Sequence, residues 1–214
     1  MGGVSAETPR TGEHPLAGLI TAAAAGQFPD PDGGWERVPP WRPGLEAIFS
    51  FTAHAVFAVA PDISDRRIAS LGADGLGGAH DPRLIAALAG HGTGRSGAQP
   101  RLVDRPDLAA HPRARFAARI RHEPRVLGYP DRSRSAVVTV SRGIAGLTEL
   151  SFEIEPARRG QRGGAGLAAD ALSVLPEGQV ALAAVAPGNA ASVRALLSAG
   201  FVPLGSFQLF RRAG

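Results

Sequence analysis

The sequence contains no cysteine, a single methionine and a single tyrosine, and all 23 of its Lys+Arg residues are arginine. Without cysteine there is no disulfide framework, no thiolate metal site and no cysteine nucleophile. Arginine does not titrate near neutrality, so its exclusive use lifts the sequence pI to 11.0 although the formal net charge is only +4. A surplus that small, with no basic helix interleaved with aromatics and no zinc-finger spacing, does not point to nucleic acid as a partner. No apolar run approaches the length of a membrane span, and no basic-then-apolar leader opens the chain, so no membrane partner is expected. A cytoplasmic home is the default expectation. The 6 histidines are scattered, with no pair at i, i+4, and no metal site is expected.

What is present suits a folded α/β chain. A hydrophobic content of 44% over 214 residues is enough for one sizeable core. Residues 1–42 are rich in Gly, Pro and acidic turns and are expected to form an extension, with one short helix over Leu16 to Ala25. Trp35 and Trp41 in that stretch either line a pocket or pin the extension to the body. Residues 43–122 open with an apolar run, Ala47 to Ala60, that reads as the first strand of a sheet. Helices are expected over Asp65 to Leu71, Pro82 to Ala89 and Pro112 to Arg121, the last with Phe116, Ala117 and Ile120 on one face. Residues 123–214 begin with Val126 to Tyr129, Ala136 to Val140 and Leu147 to Ile154, which look like an antiparallel meander.

Leu147 to Phe201 is the most informative stretch. Leu150, Phe152 and Ile154 alternate with Glu149, Ser151 and Glu153, the period of a half-buried strand. Pro156 closes it. The loop Ala157-Arg-Arg-Gly-Gln-Arg-Gly-Gly-Ala-Gly166 then leads into the helical run Leu167 to Leu175. Glycines let a backbone approach an oxyanion closely, and the free N–H groups of a helix's first turn hold a phosphate. Arg158, Arg159 and Arg162 add charge-assisted donors. The bland alternative is a solvated basic turn. A second apolar strand, Val180 to Val185, follows, then Ala186-Pro-Gly-Asn189 and a helix over Ala190 to Ala199, with Asn189 placed to cap it and Gly200 to end it. Phe201 to Gly205 and Ser206 to Phe210 read as two short closing strands.

This order and these residues resemble the GNAT superfamily of acetyl-CoA-dependent N-acetyltransferases. Gln161-Arg-Gly-Gly164-Ala-Gly166 matches the family's (Gln/Arg)-x-x-Gly-x-(Gly/Ala) pyrophosphate loop, and Val185-Ala-Pro-Gly-Asn189-Ala-Ala-Ser192 followed by Gly200-Phe201 looks like its second signature. The resemblance covers about Arg125 to Arg211. Counting from Ile154, the family's usual spacing starts the loop at Arg159, which puts Arg162 where a glycine is expected; the Gln161 register fits the glycines with a longer loop.

The resemblance implies a mixed α/β fold, a GNAT-like twisted mixed sheet flanked by helices, with an atypical N-terminal half. It implies acetyl-CoA as co-substrate and a small amine, protein N-terminus or lysine as acceptor; a homodimer is left open. It implies that Phe152, Glu153 and Ile154 border the pantetheine arm, and that Arg159, Gly160, Gln161, Arg162, Gly163, Gly164, Ala165 and Gly166 hold the pyrophosphate, with Asn189 and Ser192 nearby. Glu149 stands closest to the position of the family's strand base, with Glu153 the runner-up; the plain alternative for both is a solvent-facing strand residue. The family's acid, a tyrosine four positions before the Gly-Phe pair, is here Leu196, and the one tyrosine, Tyr129, is on another strand. That departure leaves a non-catalytic acyl-CoA-binding module as the rival reading.

Overall fold

The computed structural model of the protein describes residues 13–90, 107–111, 125–128, 136–154, 157, 163–173 and 175–212. Among them run α1 (Pro15–Ala24), β1 (Trp35–Val38), β2 (Glu46–Phe51), β3 (His54–Ala58), α2 (Asp65–Ser70), α3 (Pro82–Leu88) and β4 (Asp107–His111). Then follow β5 (Arg125–Gly128), β6 (Ala136–Arg142), β7 (Thr148–Ile154), α4 (Gly163–Ser173), β8 (Ala181–Val185), α5 (Ala190–Ser198) and β9 (Val202–Phe210). The sequence's helix over Pro112 to Arg121 and Tyr129 lie outside the described residues. None of the helices described is long and apolar enough to cross a membrane.

The strands form one 9-stranded sheet in the order β1-β3-β2-β9-β4-β8-β7-β6-β5. It is mixed: β1 and β3 pair in parallel, as do β7 and β8, and the other neighbours are antiparallel. Alternation along the strands divides the core into two faces. On β8, Ala181, Ala183 and Val185 pack with Leu167, Leu172 and Leu196 of α4 and α5, whereas Leu182 belongs to the α1 side. On β2, Ile48 packs with Ile68, Leu84 and Leu88 of α2 and α3, whereas Ala47, Phe49 and Phe51 meet α1. Among the described residues, one face therefore carries two helix pairs and the other a single central helix. This is the mixed α/β sheet flanked by helices expected from the sequence.

Local chemistry explains the helix starts. Pro15 occupies the first turn of α1, where its missing N–H costs nothing. His14 caps the helix through Nδ1, which accepts from the Leu16 N–H at 3.2 Å, so Nε2 carries the proton that it donates to the Pro39 carbonyl at 2.7 Å. Leu16 and Ile20 of this helix are fully buried. Trp35 packs edge-on against Phe57 at 5.5 Å, and Trp41 against His14 at 6.3 Å. Residues 13–42 thus contribute a core helix and an edge strand to the sheet, and both tryptophans pin them there.

Two stretches differ from their sequence reading. The run Ala47 to Ala60 contains a hairpin, β2 and β3, turned at Ala53 with φ 52. Nothing in composition marks that turn, because an alanine takes the left-handed conformation usually left to glycine. At the other end, Phe201 to Phe210 forms one long strand, β9. Its Pro203 is tolerated because β9 pairs there with β4 alone; β2 joins only from Ser206 onward. Gly205 lies under β2 so closely that an added Cβ would stand 2.1 Å from the Ser50 carbonyl oxygen.

Gly205→Ala should therefore lower stability by about 1–3 kcal/mol or more, since the obstacle is backbone. Gly18, inside α1 with nothing within 4 Å of a built Cβ, is the control: Gly18→Ala should be neutral or stabilising by up to ~1 kcal/mol. Chemical denaturation of the two variants checks both signs.

Candidate active site

The parallel pair β7–β8 positions the site. β7 stays paired with β6 along its whole length, from Arg142↔Thr148 to Ala136↔Ile154. Its ladder with β8 runs only from Thr148↔Ala181 to Leu150↔Ala183. From Ser151 onward the two strands part, and the β7–β8 ladder does not continue among the described residues. The opening lies at the carboxyl ends of both strands.

Two helices start at the same end. α4 begins at Gly163 after β7, and α5 begins at Ala190 directly after β8. Their first-turn N–H groups have no partners inside the helix. Asn189 caps α5, its Oδ1 accepting from the Ser192 N–H at 3.1 Å; this is the cap expected from the sequence. Gly164 lets α4 approach closely: a Cβ there would stand 2.9 Å from the Ala195 Cβ and 3.7 Å from both Phe152 Cε2 and Ile154 Cδ1. The first turn of α4, with Gly163, Gly164, Ala165 and Gly166, thus closes on the outer half of β7 and on α5. Arg159, Gly160, Gln161 and Arg162 lie outside the described residues.

The strand residues fall on opposite faces. Phe152 and Ile154 are half-buried against the α4–α5 cluster. Glu153 is exposed on the other face, and Glu149 is half-buried there, where the ladder is about to stop. The Glu149 carboxylate leans toward the β6–β7 turn: Oε2 lies 1.9 Å from where a Cβ on Gly143 would be. Gly143 has no side chain to contest that space. Leu196, where the resembled family carries tyrosine, is 2% exposed and part of the α4–α5 core. A phenol there would have to displace packed apolar side chains.

A second polar cluster escaped sequence reasoning. Glu46, at the start of β2, is 2% exposed. Its Oε1 accepts from Arg212 Nε at 3.0 Å and from the Ala60 N–H at 3.4 Å. The same guanidinium grips Asp62 with two bonds, of 2.5 and 3.0 Å. Burial pushes the Glu46 carboxyl above its ordinary range, more than the facing Arg212 lowers it. Hydrogen bonding to Arg212 holds Asp62 below the usual range. No sequence signal links these residues, which come from three separate loops and strand ends.

No family model matches this sequence, and no curated protein matches it. Among solved structures, a GNAT-family acetyltransferase from Colwellia psychrerythraea overlaps at 9% identity and a TM-score of 0.31, covering 54% of this chain and 58% of that one. This chain therefore spans little more than half the length of that structure. A putative GNAT-family acetyltransferase from Novosphingobium aromaticivorans overlaps at 17% identity and a TM-score of 0.31, covering 56% and 71% of the two chains. A GCN5-related N-acetyltransferase from Kribbella flavida does so at 16% identity and a TM-score of 0.33, covering 62% and 65%. These overlaps are loose and partial, and they assign no residue role.

Two expectations follow. Gly164→Ala should cost about 1–3 kcal/mol through overpacking against Ala195, whereas Gly166→Ala, with nothing within 4 Å of its built Cβ, should leave stability unchanged or improved; melting curves separate them. The second concerns pH. Because the folded pKa of Glu46 is raised, its contribution is fully present below the unfolded carboxyl value and is lost as pH rises through the folded one. Wild type should therefore lose stability relative to Glu46→Gln as pH rises out of the ordinary carboxylate range, and the difference should level off once Glu46 is ionised in both states. Denaturation midpoints of the two proteins across pH 4–8, about the carboxylate-to-neutral span, measure it.

Proposed function

We propose that this chain is an N-acetyltransferase that moves an acetyl group from acetyl-CoA to a primary amine, on a small molecule, a protein N-terminus or a lysine. The observation that carries the reading is the parting of β7 and β8 after Leu150, with the N-termini of α4 and α5 at the same end. An extended pantetheine arm fits between two strands that diverge, and a pyrophosphate suits a helix first turn preceded by arginines and glycines. Phe152, Glu153 and Ile154 line the β7 edge, and Gly163 to Gly166 open α4; Arg159, Gly160, Gln161 and Arg162 supply the loop by sequence.

In this reading the amine nitrogen attacks the thioester carbonyl carbon and passes a proton to the Glu149 carboxylate. The carbon–sulfur bond then breaks, the amide stays on the acceptor, and the thiolate leaves to be protonated by solvent. The base role requires the Glu149 side chain to turn from the Gly143 side toward the opening, a rotamer change open to a glutamate at a half-buried strand position. Glu153, exposed beyond the end of the β7–β8 ladder, is the other candidate. A second reading, an acyl-CoA-binding module without turnover, draws on Leu196: that position is closed in the core and offers the sulfur no phenol.

Calorimetry with acetyl-CoA and thiol release over a panel of amines test both readings. Wild type should bind, and charge reversal at both Arg159 and Arg162 should weaken binding without unfolding the chain. Glu149→Gln should lower turnover on the order of a hundredfold or more while coenzyme affinity holds. A loss confined to Glu153→Gln moves the base along the strand. Binding without thiol release for any amine favours the module, and no binding by wild type at millimolar coenzyme ends both readings.

A further inference from the structure

A cavity of about 290 Å³ opens beside the end of β9, lined by Asp62 and Ile63 after β3, Arg67 of α2, Ala87, Leu88 and Gly90 at the end of α3, and Arg212. We propose that it is a binding site for a small monocarboxylate with a compact apolar body. Its size sits at the lower end of the range for ligand sites, roughly 300–1,000 Å³, so the occupant is small.

The cavity's two cations are in different states. Arg212 is fixed: Glu46 holds its Nε and Asp62 its two terminal nitrogens. With five N–H donors on a guanidinium, such an arginine still has donors to offer, and its plane is set before any ligand arrives. Arg67 is uncommitted. Its guanidinium makes no hydrogen bond or ion pair among the described residues, and its neighbour Asp65 is taken by Arg37. Ile63, Ala87 and Leu88 supply the apolar lining.

Charge decides which anion fits. Arg212 is already matched by Asp62 and Glu46, so Arg67 is the lining cation left to pair among the described residues. A single carboxylate pairs it; a dianion would bring a second charge beside Asp62 and Glu46. A planar carboxylate also matches a guanidinium through paired hydrogen bonds. The cavity lies at the end of the sheet where β7 and β8 part, near β9, which is two strands from β8 and so roughly 10 Å away at the usual strand spacing. The site does not rest on the transferase reading, and failure to bind acetyl-CoA would leave it standing.

The test uses the full chain and three probes: 4-methylpentanoate, its neutral amide and isopentyl phosphate. Calorimetry should show the acid binding and the amide weaker by roughly tenfold or more, the loss of a charge-assisted hydrogen bond. The phosphate, a dianion, should bind more weakly than the acid. Methyl NMR should show the acid shifting Ile63 and Leu88. Arg67→Gln, at an exposed position whose guanidinium has no partner among the described residues, should fold normally and lose the acid by a similar factor, while Arg66→Gln, the preceding residue of α2 and outside the lining, should not. Equal binding of acid and amide, phosphate binding tighter than the acid, an equal effect of both arginine variants, or no shift at Ile63 and Leu88 would each overturn the proposal.

Discussion

Thr148, Glu149 and Leu150 lie in parallel with Ala181, Leu182 and Ala183, and this short ladder fixes where the candidate site stands. A parallel pair needs a crossover long enough to return the chain to the same end of the sheet, and here α4 makes it. Because the ladder stops while β7 continues, the crossover begins above the gap between the two strands. Longer pairing would have closed the opening. Without pairing, β7 and β8 would not hold α4 and α5 at a common end.

Small side chains make that arrangement close. Gly164 meets Ala195, and Ala168, Ala171, Ala181 and Ala183 fill the space between helices and sheet. The chain's small residues thus become short distances between backbones. The same economy shows on the other half of the sheet, where Gly205 sits against Ser50. Specific shape there depends on the missing or minimal side chains, so enlargement is costlier than at an exposed surface.

Much of this was legible in order of residues. The alternation on β7, the Asn189 cap and Gly200, which has φ 89, each carry a local physical cause that needs no partner. The α1, α2 and α3 helices were likewise marked by proline or side-chain caps. What escaped depends on distant neighbours. β4, Asp-Leu-Ala-Ala-His, has poor strand propensity and exists because β8 and β9 offer it two ladders. The hairpin turn at Ala53 hides in an apolar run, and the Glu46–Arg212–Asp62 cluster joins three regions with no pattern between them. At the site, Glu149 and Leu196 were placed on the right elements by sequence, but the lean of one toward Gly143 and the enclosure of the other come only from packing.

The position of β9 has a consequence for how the sheet is made. β9 stands between β2 and β4, and no other strand among the described residues joins β1-β3-β2 to the rest. As the polypeptide is synthesised from its N-terminus, the β2–β3 hairpin must wait, with one edge open, for a strand some 150 positions later. Pairings of such sequence separation slow folding, and unpaired edges held open in the meantime invite association with other chains. The two halves of the sheet become one cooperative structure only when β9 enters the gap between them.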